Sequence, residues 1–196
     1  RRDDSQFCYD LAKTLMREGY PEAALEYFRM GAERDADTAY GAVQLGDAYL
    51  RQEMVAEAQF LFDSALKANP ENSAVAAGKG QVFLAQGQYD AAVALFSELV
   101  RTDEHYLPAR YYLAQSYIGS GIRYREAALL LNEYLDGYLN FSWPSRAKAH
   151  WQLALALEKQ GEYNMAYEAI TLAMELPRGN DQMKRDAQRL EFMAND

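Results

Sequence analysis

The sequence of 196 residues has few of the residues that build sheets, disulfides and metal sites. It contains 6 Val, 3 Ile and 4 Thr, which is scarce for a β-sheet protein, whereas alanine is abundant. A single cysteine excludes an internal disulfide framework and a multi-thiolate metal site. No apolar run approaches the roughly 20 residues that a membrane-spanning helix needs. The composition therefore predicts a helical protein without a membrane span.

Positive charge is also scarce. There are 20 Lys and Arg residues against 29 Asp and Glu residues, so the net charge is −9. Nucleic acids and anionic membranes attract surplus Lys and Arg, and both classes of partner are therefore disfavoured. Residues 1–98 carry 9 basic and 16 acidic side chains, whereas residues 99–196 carry 11 and 13. This asymmetry predicts a partner that is basic toward the N-terminal end and tolerant of acid at the other.

The chain begins with Arg1 instead of Met, and no apolar segment typical of a signal peptide follows. We therefore expect a processed or trimmed protein, with any leader or anchor outside this sequence. The compartment is not readable from these residues, and the expectation is a soluble protein of the cytoplasm or periplasm.

A period of 34 residues dominates the sequence. The repeated columns are Phe28, Phe62 and Phe96; Ala24, Ala58 and Ala92; Ala12, Gly46, Gly80 and Ala114; Leu15, Tyr49, Phe83 and Tyr117; and Leu11 and Leu45. After Ala114 the register shifts by six residues, one before Ala127 and five between Tyr134 and Ala147, and a fifth copy follows. Each copy carries apolar stripes at i, i+3, i+4 and i+7, which predict two helices per copy. Turns between the two helices are predicted at Gly19, Gly87, Gly121 and Gly161, because a helix C-cap favours glycine.

This pattern resembles the tetratricopeptide repeat, a helix–turn–helix unit of 34 residues. The second copy carries the resemblance best, with Leu45, Gly46, Tyr49, Ala58, Phe62, Ala65 and Pro70. The resemblance implies an all-α, right-handed superhelical solenoid that forms a single domain over residues 1–196. The copies fall at about 5–38, 39–72, 73–106, 107–141 and 147–180. Ala36 and Lys79 depart from the family pattern, which weakens individual copies and not the fold prediction.

The two ends of the predicted array differ. Residues 181–193 carry one apolar stripe, Met183, Ala187 and Leu190, which predicts a capping helix that ends the solenoid in water. The polar side of that helix is predicted to hold Lys184, Arg185, Asp186, Gln188, Arg189 and Glu191. The N-terminal copy has no such cap, so Phe7 is expected to be exposed there and to be covered by more chain or by a second protomer.

In the family that the sequence resembles, the first helix of each pair lines a concave groove that binds a peptide or helix of a partner. The matching positions are Tyr9, Lys13, Met16, Tyr40, Val43, Asp47, Leu50, Gln81, Leu84, Tyr111, Gln115, Ile118, Lys148, Trp151 and Leu155. Of these, Tyr9, Tyr40, Tyr111 and Trp151 are the expected anchors, although aromatic residues at helical spacing also serve as core. The carboxylate clamp of chaperone-binding members is not matched, because Tyr9, Lys13, Asp47, Ala77 and Gln81 stand in its places.

Catalytic patterns are not found in the sequence. His105 and His150 lie in different copies without a carboxylate at ligand spacing, and Cys8 is expected to be a small core residue. We therefore predict no catalytic residues, no cofactor and no metal. The aromatic insertion with Phe141 and Trp143 either binds a partner or seals the joint between the fourth and fifth copies, and the sealing role is favoured.

The predicted function is that of a non-enzymatic scaffold or adaptor that binds a peptide or helix of a partner protein in its groove. The adaptor is expected to serve as an assembly factor of a multiprotein complex. The alternative is a regulatory or export module cut from a larger envelope secretion or polysaccharide-export protein. Self-association through the uncapped N-terminal repeat is a further possibility, whereas RNA binding is disfavoured by the charge.

Overall fold

The computed structural model describes residues 2–35, 39–138, 144–176 and 181–195. Within these ranges every regular element is an α-helix, which confirms the predicted all-α fold. The helices are α1 Arg2–Arg17, α2 Pro21–Arg34, α3 Ala39–Arg51, α4 Val55–Ala68, α5 Ser73–Ala85, α6 Tyr89–Thr102, α7 Pro108–Ser120, α8 Tyr124–Asp136, α9 Arg146–Glu158, α10 Tyr163–Glu175 and α11 Asp181–Asn195.

The chain divides into two compact units, Arg1–Gln88 and Tyr89–Asp196. In the first unit, α1 packs on α2, α3 packs on both α2 and α4, and α5 contacts α3 and α4. In the second unit, each helix from α6 to α10 packs on the one that follows it. Packing between neighbours along the chain is what a stack of helical hairpins requires. A single solenoid domain over residues 1–196 stays a prediction.

The turns within the hairpins share one hydrogen-bond pattern. The N–H of Met54 donates to the carbonyl of Tyr49 at 2.9 Å, and the N–H of Gln88 donates to that of Phe83 at 2.8 Å, which closes each helix in a Schellman motif. In four of the turns, the residue just before the donating N–H is a glycine with positive φ, as predicted. These glycines are Gly19, Gly87, Gly121 and Gly161. In the second copy, the same place is filled by Glu53, whose φ is 58°. The turn geometry is therefore kept from copy to copy even where its preferred residue is missing.

One core cluster of the first unit contains the ring of Phe62 on α4, which is completely buried. A Cβ atom added to Gly46 on α3 would lie 2.2 Å from this ring, and one added to Gly78 on α5 would lie 2.1 Å from it. The two glycines therefore form a slot for Phe62, and the ring joins its own hairpin to the helix that follows. In the second unit, Phe96 stacks on Tyr112 with ring centroids 5.3 Å apart, so the same column again meets the next hairpin.

The last helix, α11, packs against α10. Its apolar stripe of Met183, Ala187 and Leu190 is buried, as the amphipathic pattern predicts. Within the described residues, no helix combines the length and the apolar character needed to cross a membrane.

Replacing Glu53 with Gly should raise the free energy of unfolding by up to about 1 kcal/mol, because a residue with a Cβ atom pays about 1–2 kcal/mol in left-handed backbone. The greater freedom of glycine in the unfolded chain offsets part of this gain. The reciprocal variant Gly87→Ala should lose about 1 kcal/mol, since its added Cβ meets nothing within 4 Å and only the backbone is strained. Urea denaturation of both variants measures the two effects, and shifts of the same sign would contradict the assignment.

Candidate functional site

The predicted anchor Tyr9 lies inside the first unit and not on its surface. Its side chain is 1% exposed, whereas groove exposure was the expectation. A Cβ atom added to Gly31 on α2 would lie 2.5 Å from the Tyr9 ring, and one added to Gly41 on α3 would lie 2.9 Å from its hydroxyl. The two glycines open a slot between α2 and α3 that admits the ring. Burial, and then the charge of Asp35, raise the pKa of Tyr9 above its usual range, so the hydroxyl stays neutral.

Tyr40 is the predicted anchor that remains at the surface of the first unit. It is 43% exposed, and its ring meets Tyr9 edge to face at a centroid distance of 5.3 Å. The Lys13 ammonium donates to the Tyr40 hydroxyl at 3.5 Å and lies 6.0 Å from the ring centroid. Tyr40 is therefore held by the buried ring of Tyr9 and by the ammonium group of Lys13, while the rest of its ring is open to solvent.

The other groove positions of the first unit form a half-buried surface on the first helices. Val43 and Leu50 pack against the core cluster that contains Phe62, and Met16 packs against the cluster around Tyr9. Asp47, Gln81 and Leu84 are also half-buried. Because Tyr40, Val43, Asp47 and Leu50 recur at helical spacing, they share one face of α3. This face combines aliphatic surface with a single carboxylate.

In the second unit, the predicted anchor Tyr111 is part of the core. It is 4% exposed, and its ring centroid lies 5.2 Å from that of Tyr112 and 5.7 Å from that of Tyr134. The Tyr134 hydroxyl in turn donates to the carbonyl of Pro144. Burial raises the pKa of Tyr111 above its usual range. Tyr111 is therefore buried in this cluster of rings, which corrects the prediction that it is exposed in the groove.

Trp151 is half-buried and is held by α11. Its indole N–H donates to the carboxylate of Asp186 at 3.0 Å, and Arg189 pairs with the same carboxylate at 3.1 Å. Arg189 also pairs with Glu158 at 2.8 Å, so two side chains of α9 are tied to α11. Asp186 is 3% exposed, which corrects its predicted place on the polar side of the capping helix. The group that the sequence offers as a binding anchor here supports the last helix.

The remaining predicted residues of the second unit are less constrained. Gln115, Ile118 and Leu155 are half-buried, and Lys148 is exposed. Phe141 and Trp143 of the insertion lie outside the described residues. Of the described residues on either side of it, Arg146 lies 5.7 Å from the ring centroid of Tyr138.

No catalytic arrangement is found among the described residues. They include no group of three or more His, Cys, Asp or Glu side chains that could hold a metal ion. The His105 side chain is 92% exposed, and burial together with the charge of Arg146 lowers the pKa of His150 below its usual value. Cys8 is buried and its sulfur accepts a hydrogen bond from Arg34 at 3.3 Å.

Two signals in the sequence indicate what the groove prediction missed. Gly31 and Gly41 stand inside helices, where glycine is unfavourable, and they mark the slot that Tyr9 fills. Asp186 stands three residues after Met183 and four before Leu190, so helical periodicity places it on the buried stripe. No comparable local signal marks Tyr111, because its partner Tyr134 comes from another helix.

Comparison with known families and structures agrees with this architecture. Models of the tetratricopeptide repeat match residues 43–106, residues 83–140, and residues 5–38 and 147–180. Comparison with curated proteins finds no significant match.

Several solved structures share the fold. TTC0263, a thermophilic TPR protein of Thermus thermophilus, is 14% identical over 96% of this chain and 99% of its own, with a TM-score of 0.78. MamA of Desulfovibrio magneticus RS-1, from its residue 41 to the end, is 24% identical over 91% and 98%, with a TM-score of 0.57. YrrB, described as a TPR protein with an unusual peptide-binding site, is 21% identical over 93% and 90%, with a TM-score of 0.57.

Replacing Trp151 with Phe should lower the free energy of unfolding by about 1–2 kcal/mol, because the buried Asp186 carboxylate loses a hydrogen-bond donor while the ring packing is kept. The effect should be strongest on α11, whose amide protons should exchange faster with solvent. Arg185→Ala, on an exposed position of the same helix, serves as the control. Unchanged exchange in α11 of the Phe variant would show that the indole hydrogen bond contributes nothing to holding that helix.

Proposed function

Because the chain belongs to the tetratricopeptide repeat family, we propose that it is a non-enzymatic adaptor that binds a segment of a partner protein on the first helices of its hairpins. The tetratricopeptide fold supports a protein–protein interaction module. The finer role that we propose is that of an assembly factor of a multiprotein complex, with a peptide or an amphipathic helix as the bound segment. The described peptide-binding site of YrrB supports this class of ligand.

The exposed ring of Tyr40 carries the proposal. Of the four aromatic residues at groove positions, Tyr9 and Tyr111 are buried and Trp151 is bonded to α11. Tyr40 alone among these four offers an open aromatic face, and its support by Tyr9 limits the entropy that binding would cost. Preorganised tyrosines of this kind are common hot spots of interfaces.

The surroundings of Tyr40 favour a segment with an apolar anchor and an acceptor group. Val43 and Leu50 supply half-buried aliphatic surface on the same helix face. Lys13 is exposed beside the Tyr40 hydroxyl and can meet a carboxylate or carbonyl oxygen of the bound segment. A segment of this chemistry would be held by burial of its apolar side chain and oriented by Lys13.

Self-association through the uncapped N-terminal repeat would use Phe7, which is 66% exposed there, and not the surface around Tyr40. The alternative role as a regulatory or export module of a larger envelope protein would use the same surface, and it differs only in the protein that surrounds the chain.

Replacing Tyr40 with Ala should weaken binding of groove ligands at least about tenfold, the loss expected of a hot spot. Peptides selected from a random display library on the wild-type protein provide the ligands, and fluorescence anisotropy measures their dissociation constants. Tyr20→Ala is the matched control, because Tyr20 is 61% exposed and lies outside the predicted groove. Equal affinities of the selected peptides for wild type and Tyr40→Ala, with both proteins folded, would contradict the proposed site.

A further inference from the structure

On one face of α1, Phe7 and Thr14 are exposed, although the residues at their equivalent positions in every later first helix are buried. The residues equivalent to Phe7 are Gly41, Val75, Ala109 and Ala149, all of them buried. The residues equivalent to Thr14 are Ala48, Val82, Ser116 and Ala156, which are at most 1% exposed. Phe7, in contrast, is 66% exposed, and Thr14 is also exposed. We name the surface formed by Asp4, Phe7, Asp10 and Thr14 of α1, together with Glu18 directly after the helix, the α1 face.

The later copies show what covers this face. A Cβ atom added to Gly41 on α3 would lie 3.3 Å from the Cα atom of Ala32, so the position packs against the backbone of α2. At the other end of the same stripe, the Gln52 side chain donates to the carbonyl of Pro21, the first residue of α2, at 3.0 Å. Gln160 makes the equivalent bond across its own joint, to the carbonyl of Tyr124 at the start of α8, at 3.2 Å. The covering element is therefore the second helix of the preceding hairpin.

The α1 face differs from the later faces in charge. Asp4, Asp10 and Glu18 are exposed and lie within about 60° of Phe7 around the helix axis. The residues equivalent to Asp10 and Glu18 in the later copies carry no charge: they are Gln44, Gly78, Tyr112 and Gln152, and Gln52, Gln86, Ser120 and Gln160. At all but one of these places the later copies have a side-chain amide or hydroxyl, whereas α1 presents a carboxylate, which accepts hydrogen bonds and favours a cationic donor.

We propose that the α1 face binds a cationic amphipathic helix of a partner protein, which lies where the second helix of a preceding hairpin lies in the later copies. Its apolar stripe packs on Phe7 and Thr14, and its Lys or Arg side chains pair with Asp10 and Glu18. The residues of the bound helix that face Phe7 must be small. In the later copies the equivalent residues, such as Gly41 and Ala109, are small and let a helix backbone approach closely, whereas Phe7 is large. A second copy of this chain fits less well, since two α1 faces would bring six carboxylates together. The surface is separate from the one around Tyr40.

The probe is a synthetic amphipathic peptide of about 16 residues, or roughly 24 Å of helix, with Ala and Leu on one face and Lys on its flanks. Fluorescence anisotropy measures its affinity for the full chain. We expect Phe7→Ala to weaken binding about tenfold and the double variant D10K/E18K to weaken it at least as much. An otherwise identical peptide with Glu in place of Lys should bind the wild type at least about tenfold more weakly, and should regain affinity for D10K/E18K.

Matched controls separate this site from general attraction to an acidic protein. Phe60→Ala removes another phenylalanine of the first unit, one that is 77% exposed. E57K/E71K makes the same change in net charge at two exposed positions away from the α1 face. Both controls should bind the Lys peptide like the wild type. Thermal melting of each variant checks that its fold is kept, which is expected for Phe7→Ala because the ring is largely in solvent.

Three results would overturn the proposal. Equal weakening by E57K/E71K and D10K/E18K would show non-specific charge attraction. Loss of peptide binding in Tyr40→Ala but not in Phe7→Ala would place the peptide on the groove surface instead. A wild-type dimer that Phe7→Ala converts to a monomer in sedimentation would assign the α1 face to a second copy. Failure of the groove proposal alone leaves the expected results of these measurements unchanged.

Discussion

The structure depends on the fact that no hairpin can enclose its own core. The ring of Phe62 shows this directly, because one side of it lies against Gly46 in its own hairpin and the other against Gly78 in the next helix. Some of the contacts of this ring are therefore supplied by the next hairpin. The slot that Gly31 and Gly41 form around Tyr9 repeats the arrangement one joint earlier. In such a stack, the stability of each helix pair depends on its interfaces with the pairs on both sides.

The dependence on joints explains which features can be predicted from the sequence. The 34-residue period predicts the helices and the turn at Gly87 because both follow from local patterns of apolar residues and glycine. The exposure of groove residues does not follow from position within the repeat. Tyr9 and Tyr111 occupy equivalent places, yet each is buried for a different reason, glycines around one and the ring of Tyr134 beside the other. These partners come from other helices, so the period of a single helix contains no information about them.

The last joint is specified by polar contacts as well as apolar ones. The stripe on α11 includes the carboxylate of Asp186, which would be costly to bury alone and is accepted because Trp151 and Arg189 donate to it. The Trp151–Asp186 hydrogen bond joins α9 to α11 and gives the buried carboxylate a donor. Trp151, a predicted groove residue, therefore helps to hold the last helix. Of the four aromatic residues at groove positions, this leaves Tyr40 as the one with an open ring.

The net charge of −9 therefore does not describe any one surface of the molecule. The carboxylates of Asp10 on α1 and of Glu18 just after it lie on the same side as Phe7, whereas Lys13 lies about 120° from Phe7 around the helix, next to Tyr40. At physiological ionic strength, charges are screened over about 8 Å, so a docked segment responds to the face that it touches and not to the sum over the chain. In the two proposals one helix contributes to two surfaces: a cationic helix is proposed on the face with Phe7, and a segment with an acceptor group beside Lys13 and Tyr40. The basic partner that the acidic first half of the sequence predicts is the one that we propose for the face with Phe7.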